Sequence, residues 1–224
     1  MSPSANGSPR RVFVSGGTGY VGSRLIPRLL ERGHRVRALV RPGSESKLPS
    51  GSEPVVGDAL RAETFSGRVA PCDTFVQLVG VAHPSPAKAA QFRSIDLASA
   101  RAAGEAASAA KVAHFVYVSV AQPAPAMKEY VAARAEGEAF LTSLELDATF
   151  LRPWYVLGPG HRWPYLLLPG YWLFERLPPT REGARRLGLV TLAQMVSALV
   201  AAVENPARGI RIVDVPGIRA AERA

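Results

Sequence analysis

Cysteine is nearly missing from this chain: Cys72 is the single one in 224 residues. A lone thiol cannot close an intrachain disulfide and cannot build a cysteine-based metal site, which suits a reducing interior. Histidine is sparse as well. His34, His83, His114 and His161 never stand four apart, so the helical histidine pair of a zinc enzyme is excluded. Lysine is limited to Lys47, Lys88, Lys111 and Lys128, and the formal charge of +9 therefore rests on arginine. No recognition helix or stacking motif accompanies that charge, which argues against a nucleic-acid partner and leaves a phosphorylated small molecule or an anionic surface. The opening MSPSANGSPR lacks the apolar centre of a signal peptide, and residues 1–10 are expected to form a disordered tail. The longest apolar stretch outside the candidate core, YLLLPGYWLF at 165–174, is broken by Pro169 and Gly170 and is too short to span a bilayer. A cytoplasmic protein is expected.

What is present suits one domain over residues 11–224, with an apolar share of 47%. RVFVSGG is a β-rich run that ends in glycine, and YVGSRLIPRLLERG carries apolar residues at helical spacing until Gly33. HRVRALVR and EPVVGD read as the second and third strands, and DTFVQLVGV as a buried fourth. An alanine-rich helix over about 89–110 leads to the strand AHFVYVSV. A helix over roughly 127–144, a strand in DATFLRPWYVLGPG, a loop region over 158–188, the helix TLAQMVSALVAAVEN and the strand GIRIVDV complete the chain. Strands that alternate with helices predict an α/β fold, a doubly wound parallel sheet of the Rossmann type.

Between the first strand and first helix stands GGTGYVG, which spaces Gly16, Gly19 and Gly22 as G-x-x-G-x-x-G. Such a turn lets backbone amides and the positive end of a helix approach a pyrophosphate, where a Cβ would intervene. The strand before it and the helix after it are the context that this motif requires. The second strand then ends in Arg41, with Arg37 two positions earlier and Ser44 nearby. An acid at that place reads a free ribose, whereas arginine reads a 2′-phosphate, so NADP is favoured over NAD. A solvated strand end is the plainer alternative.

The segments VFVSGGTGYVGSRL, VRALVR, VVGD, FVYVSV, YVAARAEGE and FLRPWYVLGPG together resemble the short-chain dehydrogenase/reductase superfamily. The resemblance covers about 12–215 and is strongest to the atypical and extended branch, with its sugar-epimerase-like, NmrA-like and complex I accessory-subunit-like members. It implies nicotinamide dinucleotide binding by the turn residues Thr18 and Tyr20 as well as its glycines. Asp58, with Ala59 beside it, would bond the adenine amine. Gly80 would lie against a ribose and Pro153 near the nicotinamide. Ser119 would orient the substrate oxygen, and Tyr130 would be the general acid/base of a Tyr-x-x-x-Lys pair.

Here the lysine position holds Arg134, and Asp96 stands where many relatives carry asparagine. A guanidinium keeps the charge that favours phenolate, but it is broader and differently directed than an ammonium. Tyr130 and Arg134 therefore have two readings: the acid/base of hydride transfer, or an exposed helix face with Glu129, Glu136 and Glu138. Ser119 is either a substrate ligand or a strand-end serine that satisfies local backbone, and His83 is read as a solvated loop residue. Trp154, Tyr155, His161, Trp163, Tyr165, Tyr171, Trp172 and Phe174 concentrate in the last third. They would line a pocket, pack a proline-rich loop, or contact a protein or membrane surface through 163–174. The function expected is an NADP-dependent oxidoreductase or epimerase-like enzyme acting on a small carbonyl or alcohol. The competing reading is a non-catalytic NAD(P)-binding redox sensor or accessory subunit.

Overall fold

The computed structural model describes residues 8–159, 183 and 186–222. Most of the expected tail and of the 158–188 loop, including His161, Trp163, Tyr165, Tyr171, Trp172 and Phe174, lies outside the described residues. The strands β1 (Arg11–Ser15), β2 (Arg35–Val40), β3 (Glu53–Val56), β4 (Thr74–Gln77), β5 (His114–Val118), β6 (Ala148–Leu151) and β9 (Ile210–Val213) form one sheet. Their order is β3-β2-β1-β4-β5-β6-β9, and every pair is parallel. The chain runs outward from β1 to β3, then crosses back to place β4 on the other side of β1. That reversal opens a crevice at the carboxyl ends of β1 and β4, where open α/β sheets bind ligands.

Helices α1 (Gly22–Glu31), α2 (Ala89–Gln91), α3 (Ala98–Ala109), α4 (Lys128–Ser143), α5 (Leu192–Glu204) and α6 (Val215–Ala220) cover the sheet. Two short strands, β7 (Tyr155–Leu157) and β8 (Leu189–Thr191), pair apart from it. The strand expected across DATFLRPWYVLGPG is thus two. β6 ends at Leu151 because Pro153 has no N–H for a ladder, and pairing resumes in β7. DTFVQLVGV likewise is strand only through Gln77, and after the Leu78 amide bonds the Ser15 carbonyl at 3.1 Å the chain leaves the sheet. The alanine-rich helix is not uniform either: between α2 and α3, Phe92–Leu97 form a π-helical turn. Among the described residues, no helix is long and apolar enough to cross a membrane.

Strand alternation sends Val12 and Val14, Val76 and Val116 into one core with Leu25, Ile26 and Leu29 of α1 and Met195, Leu199 and Val203 of α5. Their neighbours point the other way. Phe13, Phe75 and Phe115 are register partners across β1, β4 and β5, with ring centroids 5.0 and 5.2 Å apart along the row. The alanine face of α3 closes over this aromatic row, and Gly104 lets α3 approach α4 so closely that a Cβ would stand 2.8 Å from Leu141. Cys72 is buried at the edge of this second core, and burial pushes its thiol up to about 11, which keeps it protonated at neutral pH.

His114, at the start of β5, is fully buried with Nε2 3.0 Å from the Thr149 hydroxyl. Burial, reinforced by Arg211 and Arg10, pushes its pKa down to about 4, so the folded chain holds it neutral. An unfolded imidazole protonates near 6.5, and the unfolded state alone therefore gains the proton as pH falls from about 6.5 to 4. Stability should drop across that window by roughly 2–3 kcal/mol from this residue alone. Denaturant titrations at pH 7 and 4.5 check this: His114→Gln should lose less stability on acidification than the parent, and an equal loss would remove His114 as the cause.

Candidate functional site

The turn after β1 is built around backbone that only glycine fits well. Gly16 has φ +79°, and a Cβ there would lie 3.0 Å from the backbone of Leu78 and Val79. A Cβ on Gly22 would fall on the Gly16 carbonyl oxygen and stand 2.7 Å from Gly17 Cα, so this glycine lets α1 start directly beneath the turn. Gly17, outside the spaced motif, packs against Ile26, Leu48 and Ala38. The Gly19 amide donates to the Gly16 carbonyl at 3.0 Å and closes the turn.

A groove of about 390 Å³ opens above this turn at the sheet's carboxyl edge. Gly16, Thr18, Gly19, Arg41, Ser44, Asp58, Ala59 and Gly80 line it, which brings together eight sequence-derived candidates from four separate strand ends. Leu39, Val40, Gly57, Leu60, Leu78, Val79 and Ile95 complete it and were not picked out from the sequence. Leu60 is 39% exposed, an apolar side chain left open beside Asp58. One Asp58 oxygen accepts the Leu60 amide at 3.0 Å and so fixes the carboxylate at the groove's rim. The shape and chemistry fit a dinucleotide: a glycine cradle where a Cβ would intrude, an apolar wall, an acid at one end and an exposed strand-end arginine beside it.

Three expectations sit elsewhere. Arg37 is spent below the groove, with Nε on Glu53 at 3.0 Å and Nη1 on the carbonyls of Arg68 and Ala70 at 3.2 and 2.8 Å. Tyr20 does not line the groove, and its hydroxyl lies against Gly158 beyond β7. Pro153 is buried after β6, where its carbonyl accepts the Ala121 amide at 2.9 Å, and it does not line the groove either. The exposed-face reading of α4 is overturned for Arg134. That side chain is 5% exposed and points inward, because α4 packs on the π turn and on α3. Glu129 stays exposed and Glu136 bonds Arg93 and Arg101 at the surface, whereas Glu138 is buried.

Arg134 Nη1 donates to the Val118 carbonyl at 2.7 Å, and Nη2 pairs with Asp96 at 2.6 Å. Asp96, fully buried on the π turn, also accepts the Val81 amide at 3.1 Å. The guanidinium carbon stands 5.6 Å from the Tyr117 ring and 5.3 Å from the Tyr130 ring. Burial disfavours the arginine's charge, but Tyr130, Tyr117 and Asp96 outweigh it and push its pKa above the ordinary value. Burial pushes the Asp96 carboxyl up, against the pull of Arg134 and the Val81 amide. The two departures from the superfamily pattern are thus each other's partner.

Tyr130 is half-buried, with its ring between the Arg134 guanidinium and Phe92, whose centroid is 5.0 Å away. Ser119, just past β5, is 2% exposed; among the described residues its hydroxyl has no hydrogen-bond partner, while its amide donates to the Leu151 carbonyl at 2.7 Å. A second cavity of about 350 Å³ lies at the carboxyl ends of β5, β6 and β9, between Ala121, Gln122, Arg152, Arg186, Ile212 and Asp214. Arg152 is held there by a paired bond to Glu138, at 3.0 and 2.5 Å. His83 has φ 51° in the exposed loop after β4, away from both cavities.

Known proteins resemble this chain in sequence and in fold. The profile of the NAD(P)H-binding family matches residues 16–162, more than half of the chain. A ceramide reductase of Caulobacter vibrioides is 27% identical over 89% of the chain, which spans 62% of that protein's length. A 3-diazoavenalumate denitrifying reductase of Streptomyces is 29% identical over 89% of the chain and 74% of its own length. Among solved structures, a short-chain dehydrogenase/reductase superfamily protein of Agrobacterium tumefaciens with bound NAD superposes with a TM-score of 0.66, at 17% identity, over 93% of this chain and 80% of that one. The glycine turn at the switch point and the groove above it agree with the family match, and the chain belongs to the NAD(P)H-binding family.

Proposed function

We propose that the protein is an NADP-dependent oxidoreductase or epimerase-like enzyme that acts on a small carbonyl or alcohol. The observation that carries this reading is the Ser119 hydroxyl, buried and without a partner among the described residues, next to the Val118 carbonyl that Arg134 bonds. A buried hydroxyl without a partner costs roughly 1–3 kcal/mol, a cost that a substrate oxygen would remove on binding. The names of the two reductases support an oxidoreductase chemistry for the family, and their substrates are their own.

When bound, the nicotinamide supplies or accepts the hydride. Gly16, Thr18 and Gly19 would hold its pyrophosphate, Asp58 and Leu60 its adenine end, and Arg41 with Ser44 the 2′-phosphate. Ser119 would orient the substrate oxygen, and Tyr130 would give it a proton on reduction or take one on oxidation. Arg134 keeps the Tyr130 ring seated by packing on its face. The substrate would reach Ser119 from the cavity beside Gln122 and Arg152. A second reading, a non-catalytic NAD(P)-binding module, is favoured by the engagement of Arg134 with Asp96 and Val118 in place of the superfamily's lysine.

Oxidation of NADPH, followed by its absorbance against a panel of aldehydes, ketones and quinones, separates the two. Turnover should fall by at least about a hundredfold in Tyr130→Phe, as for loss of a general acid. Tight nucleotide binding with no turnover across the panel would instead establish the non-catalytic module. Cofactor choice rests on Arg41 once Arg37 is excluded. Arg41→Ala should weaken NADPH binding by about tenfold or more and leave NADH nearly unchanged, since only one of them carries the 2′-phosphate. Equal losses for both nucleotides would refute the NADP assignment.

A further inference from the structure

We propose that Asp96 is a positioning residue: together with Arg134 it forms a buried unit that holds the floor of the nucleotide groove and the face of Tyr130 in register. This rests on the reading of Tyr130 as the proton donor. The residues meet from distant parts of the chain. Asp96 comes from the π turn, and Arg134 from the second turn of α4. A Cβ on Gly80 would collide with Arg134 Nη2 and come within 2.9 Å of Asp96, so the guanidinium fills the place of a side chain beneath the groove. On its other side the same guanidinium lies on the Tyr130 ring, which Phe92 of the π turn backs in turn. One carboxylate thereby sets the place of the cation, and the cation contacts both the cofactor's wall and the phenol.

The π turn is itself tied to the phosphate-binding end of the sheet. The Ser15 hydroxyl bonds Gln77, the Gln77 amide donates to Ser99 at 3.0 Å, and Ser99 donates to the Asp96 carbonyl at 3.1 Å. Ser15, Gln77, Ser99 and Asp96 are all buried. The regular helix expected from the alanine composition would turn Asp96 away from this place. The extra residue in the wide turn brings it inward, in keeping with the occurrence of such turns at functional sites. The charge seated on the Tyr130 ring is Arg134 of its own helix, which pairs with Asp96 of the π turn and has Tyr117 of β5 on another side.

A cycle of Asp96→Asn, Arg134→Gln and the double variant tests the unit, with thermal midpoint, NADPH affinity and kcat and KM read on each. Either single change strands a buried polar group and should lower the midpoint by about 10 °C. Each should weaken NADPH severalfold and reduce kcat by about 10–100-fold with a smaller change in carbonyl KM. The double variant, with no charge stranded, should recover most of the midpoint and little of kcat, which separates positioning from folding. Additive losses of midpoint, or recovery of kcat along with stability, would overturn the proposal. If the parent turns over no carbonyl, the assignment of Tyr130 fails by itself. The unit is then decided by whether midpoint and NADPH affinity are coupled between the two positions.

Discussion

A guanidinium with almost no contact with water must find compensation inside the protein, and Arg134 finds it in three directions. Asp96 supplies the opposite charge, the Val118 carbonyl a hydrogen bond at the end of β5, and the rings of Tyr117 and Tyr130 two polarizable faces. Each of those partners fixes an element. Asp96 requires the π turn, Val118 requires that β5 stop where Ser119 begins, and Tyr130 requires that α4 lie across both. Buried ion pairs are weak contributors to stability, because desolvation offsets most of the attraction. Their geometric demand is strong, and here it falls on residues that border the groove and Ser119.

The parallel sheet makes this convergence possible. With every strand running the same way, the carboxyl ends of β1, β2, β3, β4 and β5 open on one edge, and the glycine turn, Arg41, Asp58, Gly80 and Ser119 share it. Aromatic packing of Phe13, Phe75 and Phe115 on one face and aliphatic packing on the other hold those ends at fixed spacing. The short buried line from Ser15 to Asp96 then links the phosphate turn to the ion pair without passing through solvent.

Much of the fold was legible because each central strand is a short apolar run that stops at a glycine or a turn, and each helix has its own spacing. The groove was legible through the backbone demands of Gly16 and Gly22, which composition can reveal. Contacts made at a distance were not. Arg37 and Arg41 look alike along β2, yet one faces Glu53 and two carbonyls while the other faces the groove. The glycine spacing located the turn but did not tell where Tyr20 would point. The alanine-rich run hid its π turn, so Asp96 and Arg134 read as two separate losses when they are one exchanged pair. Leu60 and Ile95 carry no local signal beyond an apolar side chain near a turn.

The central claim is that this pair persists under the nucleotide, leaving Ser119 and Tyr130 to meet the substrate. The most direct measurement is a crystal structure of the protein with NADPH, at a resolution that defines the Arg134 guanidinium. It should show Nη2 still on Asp96 and Nη1 still on the Val118 carbonyl, with the nucleotide above Gly80. A guanidinium swung away from Asp96 and bonded directly to the nucleotide would contradict the account.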